Sequence, residues 1–304
     1  MTLAAENFSF VADLVRRRSA IQLEAGKEYL VESRLLPLAR TAGTVDVDAY
    51  IRSLRSVASP AALEAVVEAL TTNETSWFRD AQPFATLTDH VVPELLKGRL
   101  AAGPLRIWSA ACSTGQEPYS IAMTLADLVP GGRLRILGTD LNQQVLARAR
   151  TGRYSQLDVN RGLPVSMLVK HFTRAGVDWE VAAPLRSAVS FAQHNLLDVP
   201  PSGGPFDGVF LRNVLIYFDL ATQRADHEVR AFRGGARIRR RCAGGGAGGV
   251  VELDLRTTAA LAVVAGQQSV AHRCGRGGQV ARQRQQHGQL HRRAIAVRIR
   301  DRAV

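Results

Sequence analysis

Residues 105–128, LRIWSAACSTGQEPYSIAMTLADL, followed by residues 134–140, LRILGTD, read as strand, tight turn, helix and strand. The apolar run from Leu105 ends in Ala110, Ala111, Cys112, Ser113, Thr114 and Gly115, residues small enough to let a ligand come close to the backbone. Pro118 suits the first turn of a helix, and Ile121, Leu125 and Leu128 then recur at helical spacing. Pro130-Gly131-Gly132 stops that helix before the next apolar run. The expected unit is βαβ.

In open α/β sheets ligands sit outside the carboxyl ends of the strands, and an acid closing the second strand accepts hydrogen bonds from ribose hydroxyls. Asp140 stands at that place. The turn carries neither G-x-G-x-x-G nor G-x-x-x-x-G-K-[ST], because it lacks the glycines and any lysine. It therefore suits a nucleoside without a phosphate chain, a description that S-adenosylmethionine meets. An ordinary α/β core can show the same features, so the rest of the chain has to decide.

A chain of 304 residues has room for a large core and two domains. It has no apolar run of about 18 residues, so no membrane insertion is expected. The start, MTLAAENFSF, lacks the basic end and apolar stretch of a secretory signal. Cys112, Cys242 and Cys274 are unclustered, as in a reducing cytoplasm with no structural zinc. His287 and His291 have i, i+4 spacing but lack the glutamate of H-E-x-x-H, and no metal is expected.

The net charge of +12 invites a nucleic-acid reading, but +11 of it falls on residues 225–304, which hold 16 Arg, no Lys and 5 acidic residues. Residues 1–224 carry only +1, so specific nucleic-acid binding is not expected of them.

Residues 1–75 read as a small helical domain. Phe8, Val11, Leu14 and Val15 share a face, as do Tyr29, Leu30, Leu35 and Leu38, and then Tyr50, Leu54, Leu63, Val66, Val67 and Leu70. Asp46 or Asp48 and Ser59-Pro60 are expected helix starts. Next, NETSWFRD (73–80) is either a helix cap followed by two core aromatics or a functional loop. A helix is expected over Leu87 to Leu96. VDWEV and AVSFAQ, between Phe172 and Gln193, suggest a hairpin and a third sheet strand, and FDGVFLRNVLIYF holds a strand over Gly208 to Leu211 with a polar exit at Arg212-Asn213.

Five pieces in this order, NETSWFRD, SAACSTGQEPYS, GTD, HNLLD and FDGVFLRNVLIYFD, closely resemble the chemotaxis receptor methyltransferases, the CheR type of protein-glutamate O-methyltransferase. The resemblance covers about residues 5–224. It implies an α/β fold: a class I S-adenosylmethionine-dependent, Rossmann-like methyltransferase domain over residues 76–224, preceded by the helical domain and carrying a small β-subdomain near 172–190.

It also implies roles. Asn73, Thr75 and Arg79 would close over the S-adenosylmethionine, with Ala111 and its turn against the nucleoside and amino-acid part and Glu117 near the amino group. Asp140 would hold the ribose, Asn195 and Leu196 the adenine side, and Asn213 and Tyr217 the reactive end. Arg79 and Tyr217 are the implied catalytic residues, with S-adenosylhomocysteine as the product. Arg34 and Arg40 match the face that docks the implied partner, the cytoplasmic helices of methyl-accepting chemotaxis receptors.

The resemblance stops after LIYFD. The family continues with a strand of the form L-x-P-G-G-x-L-x-x-G and a closing strand pair, whereas this chain runs RADHEVRAFRGGARIRRRCAGGGAGG. From Leu220 to Val304 the only aromatic residue is Phe232. A reading-frame shift near Arg224 would leave this composition, and resequencing that finds an intact frame would refute it. Residues 225–304 are therefore expected to be a poorly ordered Arg/Gly-rich tail, with the Gly208 strand a bare edge unless GVVELDL, ALAVV or AIAVRIR substitutes. The alternative to an enzyme is then a catalytically impaired, methyltransferase-like binding module.

Overall fold

The computed structural model describes residues 3–57, 59–99, 103–129, 131–218, 237–241, 250–254 and 261–265. Four helices come first: α1 (Ala5–Ser19), α2 (Glu28–Thr41), α3 (Val47–Ser56) and α4 (Pro60–Ala69). Asp46 caps α3 by accepting the Ala49 N–H at 2.6 Å, and Ser59 caps α4 by accepting that of Ala62 at 3.2 Å, with Pro60 in the first turn. Asp48, the other expected cap, instead accepts from the Ala4 N–H and from Asn7 Nδ2.

Val11, Leu14, Val15, Tyr50, Ile51, Leu54, Val66, Val67 and Leu70 are buried in one core. In α2 the buried face is Val31, Leu35 and Ala39, at i, i+4 and i+8, which turns Tyr29 out to 70 % exposure. Of the expected face Leu35 is buried and Leu38 packs against the core, whereas Tyr29 is corrected to the solvent side.

A helical stretch, α5 (Gln82–Thr86), one wide π turn (Leu87–Val91) and α6 (Val92–Arg99), leads into β1 (Leu105–Ala110), α7 (Gln116–Leu125), β2 (Leu134–Asp140) and α8 (Gln143–Thr151). The helix after β1 ends at Leu125 rather than Leu128, which is 42 % exposed.

A small antiparallel sheet follows from β3 (Arg153–Tyr154), β4 (Phe172–Ala175) and β5 (Asp178–Val181), interleaved with the short helices α9 (Gln156–Val159) and α10 (Val165–His171). VDWEV is the second arm of its hairpin. Then come α11 (Ala183–Ala188), β6 (Val189–Gln193) and β7 (Gly208–Arg212).

The main sheet has the order β10-β7-β1-β2-β6, where β10 is Leu261–Ala265, and every pairing in it is parallel. Of the three runs named as substitutes for the missing edge strand, ALAVV is the one beside β7: β10 lies along it from Leu261 opposite Gly208 to Ala265 opposite Arg212. The run LAVVA has the composition a parallel strand needs. GVVELDL supplies β9 (Val250–Asp254), antiparallel to β8 (Arg237–Arg241), while AIAVRIR lies outside the described residues.

From β1 the chain steps outward through β2 to β6 and then returns to the other side of β1 as β7. Such a reversal opens a crevice at the carboxyl ends of the strands. Among the described residues no helix is long and apolar enough to cross a membrane.

Candidate functional site

The turn after β1 needs its small residues. Ala111, Ser113 and Gly115 take left-handed backbone angles, φ 59°, 50° and 92°. A Cβ at Gly115 would stand 3.0 Å from both the Ala149 Cβ and the Tyr154 hydroxyl, so only glycine fits there. The turn presents the Ser113 N–H to Asp140 Oδ2 at 2.8 Å, and the Asn142 N–H donates to Asp140 Oδ1 at 3.0 Å. Asp140 is buried, which pushes its carboxyl above the usual aspartate range, and backbone N–H donors from Asn142, Ser113 and Leu141 offset part of that rise. Two carboxylate oxygens offer about four acceptor sites, so three backbone donors leave acceptor capacity for a ligand.

The segment 70–80 crosses the crevice. The Asn73 carbonyl accepts from Ser113 Oγ at 2.8 Å. Trp77 fixes the middle of the segment: its N–H donates to the Arg161 carbonyl at 3.0 Å, its Nε1 donates to that of Asp158 at 3.1 Å, and its ring meets the edges of Tyr154 and Phe172. The Phe78 N–H donates to Ser120 Oγ, and its ring packs on Phe84. Of the two readings of NETSWFRD, the helix cap is corrected, since α5 starts at Gln82 with no side-chain cap, while Trp77 is buried in the core with Phe78 packed against it, and Asn73, Thr75 and Arg79 line the cleft.

Under the cleft lies an ion pair that sequence reasoning missed. Arg212, the last residue of β7, has a side chain only 1 % exposed. Its Nη1 donates to Glu117 Oε2 at 2.9 Å, and its Nη2 donates to the Arg79 carbonyl and, at 3.1 Å, to Asp80 Oδ2. Ser109 Oγ donates to Glu117 Oε1 at 2.7 Å. Burial raises the Glu117 carboxyl above the ordinary glutamate value, and Arg212, Ser109 and Arg79 pull it back. A charge ending an otherwise apolar strand was the available signal.

The last wall comes from β7's exit and, unforeseen, from the end of α1. Asn213 is left-handed at φ 56°, and Tyr217 sits in a short 3₁₀ turn (Leu215–Tyr217). The Gln22 N–H donates to the Tyr217 carbonyl at 2.8 Å, Ile21 pairs with Phe218, and Asn195 Nδ2 donates to the Arg18 carbonyl at 2.6 Å. Ser19 and Ile21 thereby become cleft residues.

All ten residues expected around the cofactor, Asn73, Thr75, Arg79, Ala111, Glu117, Asp140, Asn195, Leu196, Asn213 and Tyr217, line this one cleft. Arg34 and Arg40 do not. Arg34 is half-buried against the segment 70–72, and Arg40 is exposed.

Among the described residues, six other than glycine have left-handed backbone: Ala20, Phe78, Asp80, Ala111, Ser113 and Asn213. Each lines the cleft or adjoins a residue that does. Among the described residues no three His, Cys, Asp or Glu side chains converge to hold a metal ion.

Residues 6–71 match the family model of the CheR methyltransferase all-alpha domain, and residues 73–229 match that of the CheR methyltransferase SAM-binding domain. The chain is 40 % identical over 231 residues to chemotaxis protein methyltransferase 1 of Pseudomonas aeruginosa, an overlap covering 74 % of this chain and 84 % of that one. It is 38 % identical over 234 residues to the chemotaxis protein methyltransferase of Escherichia coli, covering 74 % and 78 %.

Proposed function

Since this chain belongs to the CheR methyltransferase family, and is thus an S-adenosylmethionine-dependent methyltransferase of chemotaxis, we propose that it methylates glutamate side chains on chemotaxis receptors, forming glutamate methyl esters. The observation that carries this is the convergence of all ten expected residues on one cleft at the carboxyl ends of β1, β2, β6 and β7.

The cleft fits the cofactor by its donor and acceptor set. Asp140 offers acceptor oxygens to a ribose diol. Glu117 offers carboxylate character to an ammonium group, with Arg212 and Ser109 fixing its orientation. Asn195 and Leu196, which also line the cleft, take the base, and the small turn at Ala111 admits the amino-acid part. When bound, S-adenosylmethionine supplies an electrophilic methyl group on a sulfonium.

A glutamate carboxylate is already ionised at neutral pH, so the chain need provide no general base. What its residues supply is alignment and exclusion of water, which can lower a barrier by about 7 to 11 kcal/mol. Arg79, on the segment staked by Trp77, orients the incoming carboxylate, and Tyr217, which lines the same cleft, borders the methyl path. The partner surface is a cytoplasmic receptor helix, with the exposed Arg40 on α2 as a docking contact.

The test is transfer of labelled methyl from S-adenosylmethionine to purified receptor by the full-length chain, beside calorimetric binding of S-adenosylhomocysteine. Base-labile label on receptor glutamates is the expected result. S-adenosylhomocysteine binding with an unlabelled receptor would identify the impaired binding module instead, and label on DNA or RNA but not receptor would overturn both readings.

A pH dependence follows from Asp140. Its ionised form is the acceptor, and its carboxyl is raised by burial. Affinity for S-adenosylhomocysteine is expected to be level near neutrality and to fall as the pH drops through that raised value, approaching about tenfold per pH unit below it. The decline starts at a higher pH than an ordinary aspartate would give, and calorimetry across a descending pH series measures it.

A further inference from the structure

The resemblance assigns Arg34 to the docking face, but its guanidinium points inward. Nη1 donates to the carbonyls of Leu70 and Thr71, both at 2.8 Å, and Nη2 donates to Thr72 Oγ1 at 3.3 Å. Leu70 is the residue that ends α4, where the last carbonyls have no partner within the helix. Residues 71–76 are neither helix nor strand, so their place depends on contacts from outside the segment.

Those contacts come from two sides. Arg34 holds the segment from the helical domain. From the sheet side, Asn142 Nδ2 donates to Thr71 Oγ1 and to the Glu68 carbonyl, both at 3.1 Å, and Ser113 Oγ donates to the Asn73 carbonyl. Asn142 and Ser113 are also the residues whose N–H groups hold the Asp140 carboxylate. A continuous run of hydrogen bonds thus joins Arg34 to Asp140, and Thr71, Thr72 and Asn73, which lie along it, line the cleft.

We infer that Arg34 is a positioning residue for the cofactor cleft rather than a receptor contact: it holds residues 70–72 so that Asn73 and Thr75 stand over the ligand. Arginine is suited to this because its planar fork serves two carbonyls and a hydroxyl together. Lysine is a point donor on a flexible stem and cannot span all three. The inference rests on the reading that the cleft takes S-adenosylmethionine.

The experiment compares the full-length wild type with Arg34→Ala and Arg34→Lys. Calorimetry with S-adenosylhomocysteine is run beside methyl-transfer kinetics in which donor and receptor are varied separately. Circular dichroism melts establish the folded fraction. Loss of the charged donor is expected to raise the S-adenosylhomocysteine Kd and the donor KM about tenfold in Arg34→Ala. Arg34→Lys should show a smaller rise, and the receptor KM should stay near wild type in both.

Arg34→Lys keeps charge and stem, so it decides the matter should the alanine variant fail to fold. Unchanged Kd in the folded lysine variant, whether with a raised receptor KM or with lowered thermal stability alone, overturns the inference while leaving the cofactor reading intact. Failure of the wild type itself to bind S-adenosylhomocysteine overturns both.

Discussion

Asp140→Ala is expected to lower the affinity for S-adenosylhomocysteine by at least about a hundredfold, through two losses that act together. The variant removes the carboxylate that would accept from the ribose hydroxyls. It also strands the buried N–H groups of Ser113 and Asn142, which in the native fold donate to the two carboxylate oxygens. A stranded buried donor costs about 1–3 kcal/mol, so the turn after β1 and the start of α8 lose the tie that sets their spacing. Asp140→Asn retains one acceptor and should fall between the two. Calorimetry with thermal melts reads both effects, and wild-type affinity in a folded Asp140→Ala protein would remove Asp140 from the cofactor site.

Arg212→Met is the second large effect, and here stability leads. The substitution keeps volume but removes the partner of the buried Glu117 and the donor to the Arg79 carbonyl. Taking one member from a buried ion pair typically costs about 3–5 kcal/mol, because the remaining charge stays desolvated. Arg212 is the largest of the influences that lower the Glu117 carboxyl, so without it burial drives that group further toward its neutral form.

Adding Glu117→Gln to Arg212→Met should restore part of the lost stability without restoring methyl transfer. Urea denaturation of the two single variants and the double variant measures the coupling. Strict additivity would mean that the two side chains do not act as a pair.

The parts of the fold that were legible share a cause. Leu105 to Asp140 announced itself because strand, turn and helix signals agreed locally and each lay within a few residues of the next. Asp46 and Ser59-Pro60 were readable as caps for the same reason. Asp140 and the turn at Ala111 were readable from the βαβ unit itself, whereas the other cleft residues came from motif resemblance, which carries long-range information that periodicity does not.

What was missed depends on contacts distant in the chain. The end of α1 reaches Tyr217 and Asn195 nearly two hundred residues on, and nothing in RRRSAIQ marks that meeting. Arg34 looked like a surface charge because its acceptors are backbone carbonyls, which every sequence has everywhere. Tyr29 and Val31 both suit an amphipathic helix, and only the packing of α2 on its neighbours chooses between the faces. Leu261–Ala265 could be recognised as strand-like, but its place beside β7 is a matter of topology.

The six left-handed residues around the cleft bear on how this protein would evolve in the laboratory. Each such backbone costs about 1–3 kcal/mol for a residue with a Cβ, and glycine would relieve most of it. Glycine also frees the chain, at about 0.5–1 kcal/mol in lost order, and the freed segments would be the ones carrying Arg79, Ser113 and Asn213. Variants selected for heat resistance and variants selected for turnover should therefore diverge at the same few positions. The first population would accumulate glycine along the rim, and the second would purge it.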